Sequence, residues 1–221
     1  MKTLTRILTL IYFLAGLVYI LTESSSETLI RHVLKGSLIP FLIIIFVAGV
    51  KNNLKGTDLL FAAGLFFSWA GDIALDFAFI PGLLCFLLAH IMYLSSFFLT
   101  PGKGVIFGER AFLLIPVILF GIVLIYIMFD DLAEMKAPVM IYAMVILAML
   151  ASAIDRLRKV NLMSFRLVLA GAILFVISDS AIAVNKFTWD FNYSGPVIMS
   201  TYLVAQYLLV KGFLLGRVQK S

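Results

Sequence analysis

The sequence predicts an all-α polytopic membrane protein, a bundle of about eight transmembrane helices. Of its 221 residues, 63% are hydrophobic and only 13% are charged, whereas a soluble domain is about half apolar and about a quarter charged. The apolar residues form runs close to the ~20 residues that a helix needs to cross a bilayer. Eight such runs leave only short loops, so we expect one transmembrane domain over residues 1–221 and no separate soluble domain.

The first span is predicted at about 5–21. Lys2 and Arg6 stand at its start, and a basic start before an apolar run is also typical of a signal peptide. Because no small-x-small cleavage site follows, we interpret this run as an uncleaved first span.

The other seven spans are expected to be helical as well, because backbone exposed to lipid must satisfy its own hydrogen bonds. The sequence lacks the short alternating segments of a membrane β-barrel. In chain order these spans are predicted at about 29–50, 57–77, 82–99, 111–129, 137–154, 164–184 and 195–213.

Charged residues separate the spans and predict their orientation. With eight spans, one side of the membrane holds a basic set, namely Lys2, Arg6, Lys51, Lys55, Lys103, Arg110, Arg156, Arg158, Lys159, Arg166, Lys211, Arg217 and Lys220. The other side is mainly acidic, with Glu23, Glu27, Asp76, Asp130, Asp131, Glu134 and Asp190 beside Arg31, Lys136 and Lys186. The basic side is cytoplasmic. We therefore expect a multi-pass cell-membrane protein with both termini in the cytoplasm, in the inner membrane if the source is a Gram-negative bacterium.

The net charge of +5 does not indicate a nucleic-acid partner, because the basic residues are confined to alternate loops. No basic stretch is interleaved with aromatic residues in a polar context. Membrane lipids are the expected surroundings of these charges.

A weak internal echo indicates two four-helix halves. Gly64 lies eight residues before Asp72 in the third span, and Gly171 lies eight residues before Asp179 in the seventh. Both spans run outward, as in a parallel repeat. Chance similarity between apolar sequences is the alternative.

Four ionisable residues stand out inside the predicted spans: Lys35, Asp72, His90 and Asp179. A charge there costs ~2.5–3.5 kcal/mol to insert, so such residues usually face the bundle interior and mark a functional path. At 1.5 Å per residue, Lys35 and both aspartates lie roughly 8–9 Å below the outer interface, and His90 roughly 12 Å. Structural readings stay open: Lys35 reaching the lipid heads, His90 as a core histidine, and the aspartates as helix-packing contacts.

Several nearby residues complete this polar layer. Tyr142 and Tyr202 fall near the same level, and Ser178 precedes Asp179. Asp76 lies one turn beyond Asp72, near the interface, where we expect it to be solvated.

The residue types favour acid/base chemistry without a cofactor, or transport. Two aspartates in one cavity can divide the roles of general acid and ionised carboxylate, and Lys35 could hold the ionised group or meet a phosphate. The chain has no Gly-x-Ser-x-Gly elbow and no dinucleotide or Walker motif. Its only histidines, His32 and His90, and its single Cys85 do not form a zinc pattern, so we expect no metal.

Three segments carry a resemblance to a known family. Phe66 to Leu75 reads Phe-Phe-Ser-Trp-Ala-Gly-Asp-Ile-Ala-Leu, Phe86 to Tyr93 reads Phe-Leu-Leu-Ala-His-Ile-Met-Tyr, and Gly171 to Ser180 ends in Ile-Ser-Asp-Ser. In these segments and in span count the chain resembles the YhhN family of membrane proteins, which includes the lysoplasmalogenases. Lys35 and Pro40 also look similar, although the family more often has a proline close behind the lysine, where this chain has Gly36 and Ser37.

The resemblance implies hydrolysis of the vinyl ether bond of a lysophospholipid substrate, a lysoplasmalogen. The products would be a fatty aldehyde and glycerophosphocholine or glycerophosphoethanolamine. On this hypothesis Asp72 and Asp179 are the catalytic carboxyl groups. The expected substrate-binding residues are Lys35, His90, Tyr93, Tyr142, Ser178 and Tyr202.

Two other function classes stay open at this stage. One is a small proton-coupled membrane transporter, because paired acidic residues in a repeat also describe carriers. The other is a noncatalytic lipid-binding membrane protein. The preferred head group and the oligomeric state also stay open.

Overall fold

Eight α-helices make up most of the chain in a computed structural model that describes residues 2–22, 28–50, 54–106 and 109–217. The helices are α1 (Lys2–Leu21), α2 (Thr28–Gly49), α3 (Gly56–Phe77), α4 (Phe79–Phe98), α5 (Ile115–Met128), α6 (Lys136–Asp155), α7 (Leu162–Phe187) and α8 (Ser194–Arg217). Short 3₁₀ turns occupy Ala111–Leu114, Ala133–Met135 and Arg156–Arg158. Glu23, Glu27, Lys51 and Lys220, which contributed to the predicted orientation, lie outside the described residues.

The prediction of eight spans is confirmed within the described ranges, where eight helical segments are long and apolar enough to cross a membrane. The protein is therefore a multi-pass membrane protein. Most predicted ends agree with the helices to within three residues. The predicted seventh span ends at residue 184, whereas α7 continues to Phe187. Asp179 therefore lies eight residues from the end of its helix. The cytoplasmic placement of the termini stays a prediction.

The chain divides into two compact units, residues 1–96 and 97–221. Unit 1 holds α1 to α3 and nearly all of α4, and unit 2 holds α5 to α8. Gly64 and Gly171 are 107 residues apart, as are Asp72 and Asp179. Adding 107 to the bounds of α2 gives residues 135–156, which nearly match α6. The same offset carries α4 onto residues 186–205, whereas α8 spans Ser194–Arg217, so the repeat stays a prediction. A single domain over 1–221 stays a prediction.

Small residues let α3 and α4 approach closely in unit 1. A Cβ on Gly64 would lie 2.5 Å from the ring of Tyr93, and a Cβ on Gly71 would lie 2.7 Å from the ring of Phe86. Small residues at helix interfaces are typical of membrane bundles, where dispersion contacts and not hydrophobic exclusion hold helices together. The echoed Gly64 therefore serves helix packing.

In unit 2, α7 and α8 have the most extensive contact. A Cβ on Gly171 would lie 2.9 Å from the Ala205 carbonyl oxygen, so this glycine permits close backbone approach. Hydroxyl groups join the helices at both ends, from Ser164 to the Gly212 carbonyl at 2.7 Å and from Ser178 to the Ile198 carbonyl at 3.0 Å. This pair fixes the side of α7 that faces α6, where Asp179 lies.

Candidate functional site

Asp179 of α7 accepts a hydrogen bond from the phenol of Tyr142 on α6. The pair lines a cavity of about 40 Å³ whose walls come from α5, α6 and α7. The other hydroxyl in the wall, that of Ser180, donates to the Val176 carbonyl of its own helix at 2.7 Å. The Tyr142–Asp179 pair is thus the polar feature of a largely apolar wall.

An apolar cluster closes the cavity near the end of α7. Met128 and Leu132 are fully buried there, and Val184 and Phe187 of α7 pack against them. This packing holds the last turns of α7 in helical form although they contain polar residues. As a result, Asp179 is carried on a rigid helix two turns from its end.

Asp72 of α3 lies in a pocket of unit 1 and is only 3% exposed. The pocket has a volume of about 430 Å³ and is lined by His32, Val33, Gly36, Ser37, Trp69, Asp72, Ile73, Asp76 and Phe77. The indole N–H of Trp69 donates to the Gly36 carbonyl at 2.8 Å, which fixes α2 against α3. Asp72 is therefore a buried carboxyl group beside an opening that both apolar and polar side chains line.

Lys35 pairs with Asp76, one turn beyond Asp72. His32 Nδ1 lies 2.7 Å from the other oxygen of the same carboxylate. The side chains of Lys35 and Asp76 are 11% and 19% exposed, and Asp76 as a whole residue is exposed, in agreement with the expectation that it is solvated. Its proximity to a lysine and a histidine makes it the centre of a charged cluster at one end of the pocket.

His90 and Tyr93 of α4 are completely buried in unit 1. The hydroxyl groups of Tyr93 and Ser68 are 3.4 Å apart, which places Tyr93 against the α3 face that bears Gly64. Tyr12 of α1 was missed by the sequence analysis, yet it is fully buried and within Coulombic range of Asp72 and Tyr93. One tyrosine in an apolar span gives no signal that distinguishes it from a core aromatic residue.

Tyr202 and Ser178 are buried where α7 meets α8. The Tyr202 hydroxyl accepts a hydrogen bond from Gln206 Nε2 at 3.3 Å, and its ring meets Phe175 edge to face at 5.4 Å. With the Ser178 hydroxyl bonded to α8, both side chains join helices in this structure. Their predicted contact with substrate stays a prediction.

Among the described residues, no group of three or more His, Cys, Asp or Glu side chains is arranged to hold a metal ion.

Comparison with known proteins identifies the family. The sequence model of the YhhN family matches residues 30–213. The chain belongs to the YhhN family. Two of the segments that carried the resemblance meet in unit 1, where Gly71 packs on Phe86 and Ser68 faces Tyr93.

Curated relatives of this YhhN protein carry the name lysoplasmalogenase. Lysoplasmalogenase TMEM86A of Bos taurus is 35% identical over 153 residues, 66% of this chain and 61% of its own length. Lysoplasmalogenase TMEM86B of Homo sapiens is 27% identical over 190 residues, 84% of this chain and 78% of its own. The chain thus spans about three fifths of the bovine relative. No solved structure matches it significantly.

A second polar cluster in this YhhN protein was not predicted. Arg156, which the sequence analysis counted as a loop charge, is 1% exposed. Its guanidinium donates to Thr100 Oγ1 at 3.0 Å and to Ser164 Oγ at 3.2 Å, and lies 5.1 Å and 5.5 Å from the ring centroids of Phe97 and Phe213. These contacts make Arg156 a core residue of unit 2.

The neighbouring Asp155 ties the α4–α5 connection to this cluster. Its carboxylate lies 2.9 Å from Lys159 Nζ and accepts the Ile106 backbone N–H at 2.9 Å. A Cβ on Gly104 would overlap the Asp155 carboxylate. Because these contacts pack the loop against the helices of unit 2, we assign the cluster to the scaffold and not to the candidate site.

Proposed function

We propose that this protein is an ether hydrolase that cleaves the vinyl ether bond of lysoplasmalogens. The products are a fatty aldehyde and glycerophosphocholine or glycerophosphoethanolamine. The proposal is carried by the part-buried Asp179–Tyr142 pair at a cavity, in a family whose relatives are named lysoplasmalogenases. Asp72, in its own pocket, is the second carboxyl group that the proposal requires.

The chemistry needs a proton donor, an anion and one water molecule. A carboxylic acid protonates the second carbon of the alkenyl chain, and the resulting oxocarbenium ion is stabilised by a carboxylate. Water then adds to the first carbon and loses a proton. The hemiacetal collapses, the glycerol oxygen takes a proton as it leaves, and the aldehyde is released.

Unit 2 has the features that suit the anion and the water. The Tyr142 hydroxyl directs its hydrogen bond at the Asp179 carboxylate, which suits a group that stabilises positive charge. A cavity of about 40 Å³ has room for a water molecule, because one water needs roughly 10–15 Å³ on this measure. We therefore assign the stabilising anion to Asp179.

The other predicted site residues fall into two groups. Lys35, in the charged cluster with Asp76 and His32 at the pocket of Asp72, is proposed to orient the carboxyl groups of that pocket. His90, Tyr93, Ser178 and Tyr202 are proposed to position the carboxyl-bearing helices, since all four are at most 4% exposed.

The test is aldehyde release from lysoplasmenylethanolamine and lysoplasmenylcholine by purified protein in detergent, where no membrane gradient exists. Asp72→Asn and Asp179→Asn are expected to lose roughly 10²- to 10⁴-fold in kcat, the usual contribution of an acid/base group. Asp190→Asn, at an exposed loop position, is the matched control and should retain activity.

A 1-O-alkyl lysophospholipid serves as the substrate control, because it has no alkene to protonate and should not be cleaved. Absence of aldehyde with folded wild-type protein would contradict the proposed reaction. Full activity in both folded asparagine variants would contradict the assignment of the carboxyl groups.

A further inference from the structure

A long apolar groove runs along the outer face of α5 and α6 in unit 2. It has a volume of about 670 Å³ and is lined by Ile118, Gly121, Ile122, Ile125, Tyr126, Phe129, Asp130, Met140, Ala143, Met144 and Leu147. From Ile118 to Phe129 it follows α5 for about 16 Å. One leaflet of the hydrocarbon core is about 15 Å thick, so the groove is as long as one leaflet is deep.

The groove and the cavity of the Tyr142–Asp179 pair share one wall. Gly121, Ile125, Ala143 and Leu147 line both spaces. Two of these four residues are the smallest available, and a Cβ on Gly121 would overlap the end of the Leu147 side chain. Small residues and one leucine side chain thus separate the groove from the cavity that Asp179 lines.

One end of the groove carries both signs of charge. Asp130 lines that end, and the Lys136 ammonium lies 4.2 Å from the ring centroid of Phe129. A phospholipid head with an amine presents a negative phosphate and a positive nitrogen, which match this lysine and this carboxylate. Tyr142 lies six residues beyond Lys136, about 9 Å along α6, at the level where a chain anchored by its head would enter the hydrocarbon.

We propose that this groove holds the alk-1-enyl chain of the substrate, with the head group at the turn between α5 and α6. The vinyl ether then lies against Gly121 and Ala143, beside the Tyr142–Asp179 pair. Entry is sideways from the lipid, since the groove is open along its length. This inference rests on the proposed function and names the chain-binding part of the same site.

The first test enlarges a side chain in the wall that the groove and the cavity share. Ala143→Leu places a bulky side chain between groove and cavity, and we expect kcat/KM to fall on the order of 100-fold, as for a misplacement of about 1 Å. Ala148→Leu is the matched control on the same helix, because Ala148 is exposed and lines neither space. Equal activity of the two variants would overturn the inference.

A second variant avoids dependence on a loss of activity. Leu147→Ala widens the wall, so a substrate with a methyl branch near the vinyl ether should gain about tenfold in kcat/KM relative to the straight chain, the usual value of one methylene in an apolar pocket. An unchanged ratio would count against the groove.

Binding is measured apart from turnover with a 1-O-alkyl lysophosphatidylethanolamine that carries a diazirine in its chain. Labelling of α5 and α6 peptides, reduced in Ala143→Leu and retained in Ala148→Leu, is the expected result. Labelling that misses these helices would overturn the inference. Labelled α5 and α6 in a wild-type protein that releases no aldehyde would support the chain site and refute the proposed reaction, so the two failures are distinguishable.

Discussion

Replacing Tyr142 by phenylalanine isolates one hydrogen bond of the candidate site. The change removes the hydroxyl that donates to Asp179 and keeps the ring that fills the cavity wall. A hydrogen bond to a charged group contributes roughly 1.5–3 kcal/mol. At about 1.36 kcal/mol for each factor of ten, kcat/KM should fall roughly 10- to 150-fold.

The assay is aldehyde release by the purified variant, followed by coupled reduction of the aldehyde. Tyr193→Phe is the control for loss of a phenol, because Tyr193 is 80% exposed. A double-mutant cycle shows whether Tyr142 acts through Asp179: on an Asp179→Asn background, Tyr142→Phe should cost far less than it does alone. Wild-type kcat/KM in folded Tyr142→Phe would refute the reasoning.

The remaining predictions concern stability, measured by thermal unfolding in detergent. Asp76→Asn should destabilise unit 1 by about 3 kcal/mol, since it leaves the nearly buried Lys35 without its carboxylate. Glu109→Gln removes an exposed ion pair and should cost less than about 1 kcal/mol. Equal effects of the two substitutions would contradict the argument from burial. Gly64→Ala should lower the stability by about 1–3 kcal/mol, because the new Cβ overlaps the Tyr93 ring. Gly36→Ala has no atom within 4 Å of the new Cβ and should raise the stability by about 0.5–1 kcal/mol. Equal melting temperatures for the two alanine variants would show that α3 and α4 can separate without cost.

The spans could be predicted because their composition alone requires lipid, but the end of α7 could not. Lys186 was counted among the loop charges, yet the helix continues through it to Phe187. The cause is tertiary: Val184 and Phe187 pack on the Met128 and Leu132 cluster. A hydropathy pattern reports only how apolar a segment is, so it misses polar residues held in a helix by neighbouring side chains.

Candidate site residues could be nominated from the sequence because a charge inside a span is costly, but their pairing could not. Lys35 contacts Asp76 and not Asp72, although both carboxylates lie on one face of α3. The choice depends on how α2 is rotated about its axis, and a helix that is apolar on nearly all sides gives little information about rotation. The sequence placed Tyr142 and Asp179 in the same predicted polar layer, so their proximity was predictable. It did not specify that the two side chains are in contact.

The burial of Arg156 imposes an order on assembly. The guanidinium is enclosed by Phe97 from the end of α4 and Phe213 from the last helix, and Ser164, which it contacts, bonds to Gly212 of α8. During synthesis, α8 is the last of these parts to leave the ribosome. Until then Arg156 lacks the Phe213 ring, and Ser164 lacks its bond to Gly212. Completion of α8 therefore encloses a cation of the kind that orients spans, and its burial makes the adopted orientation difficult to reverse.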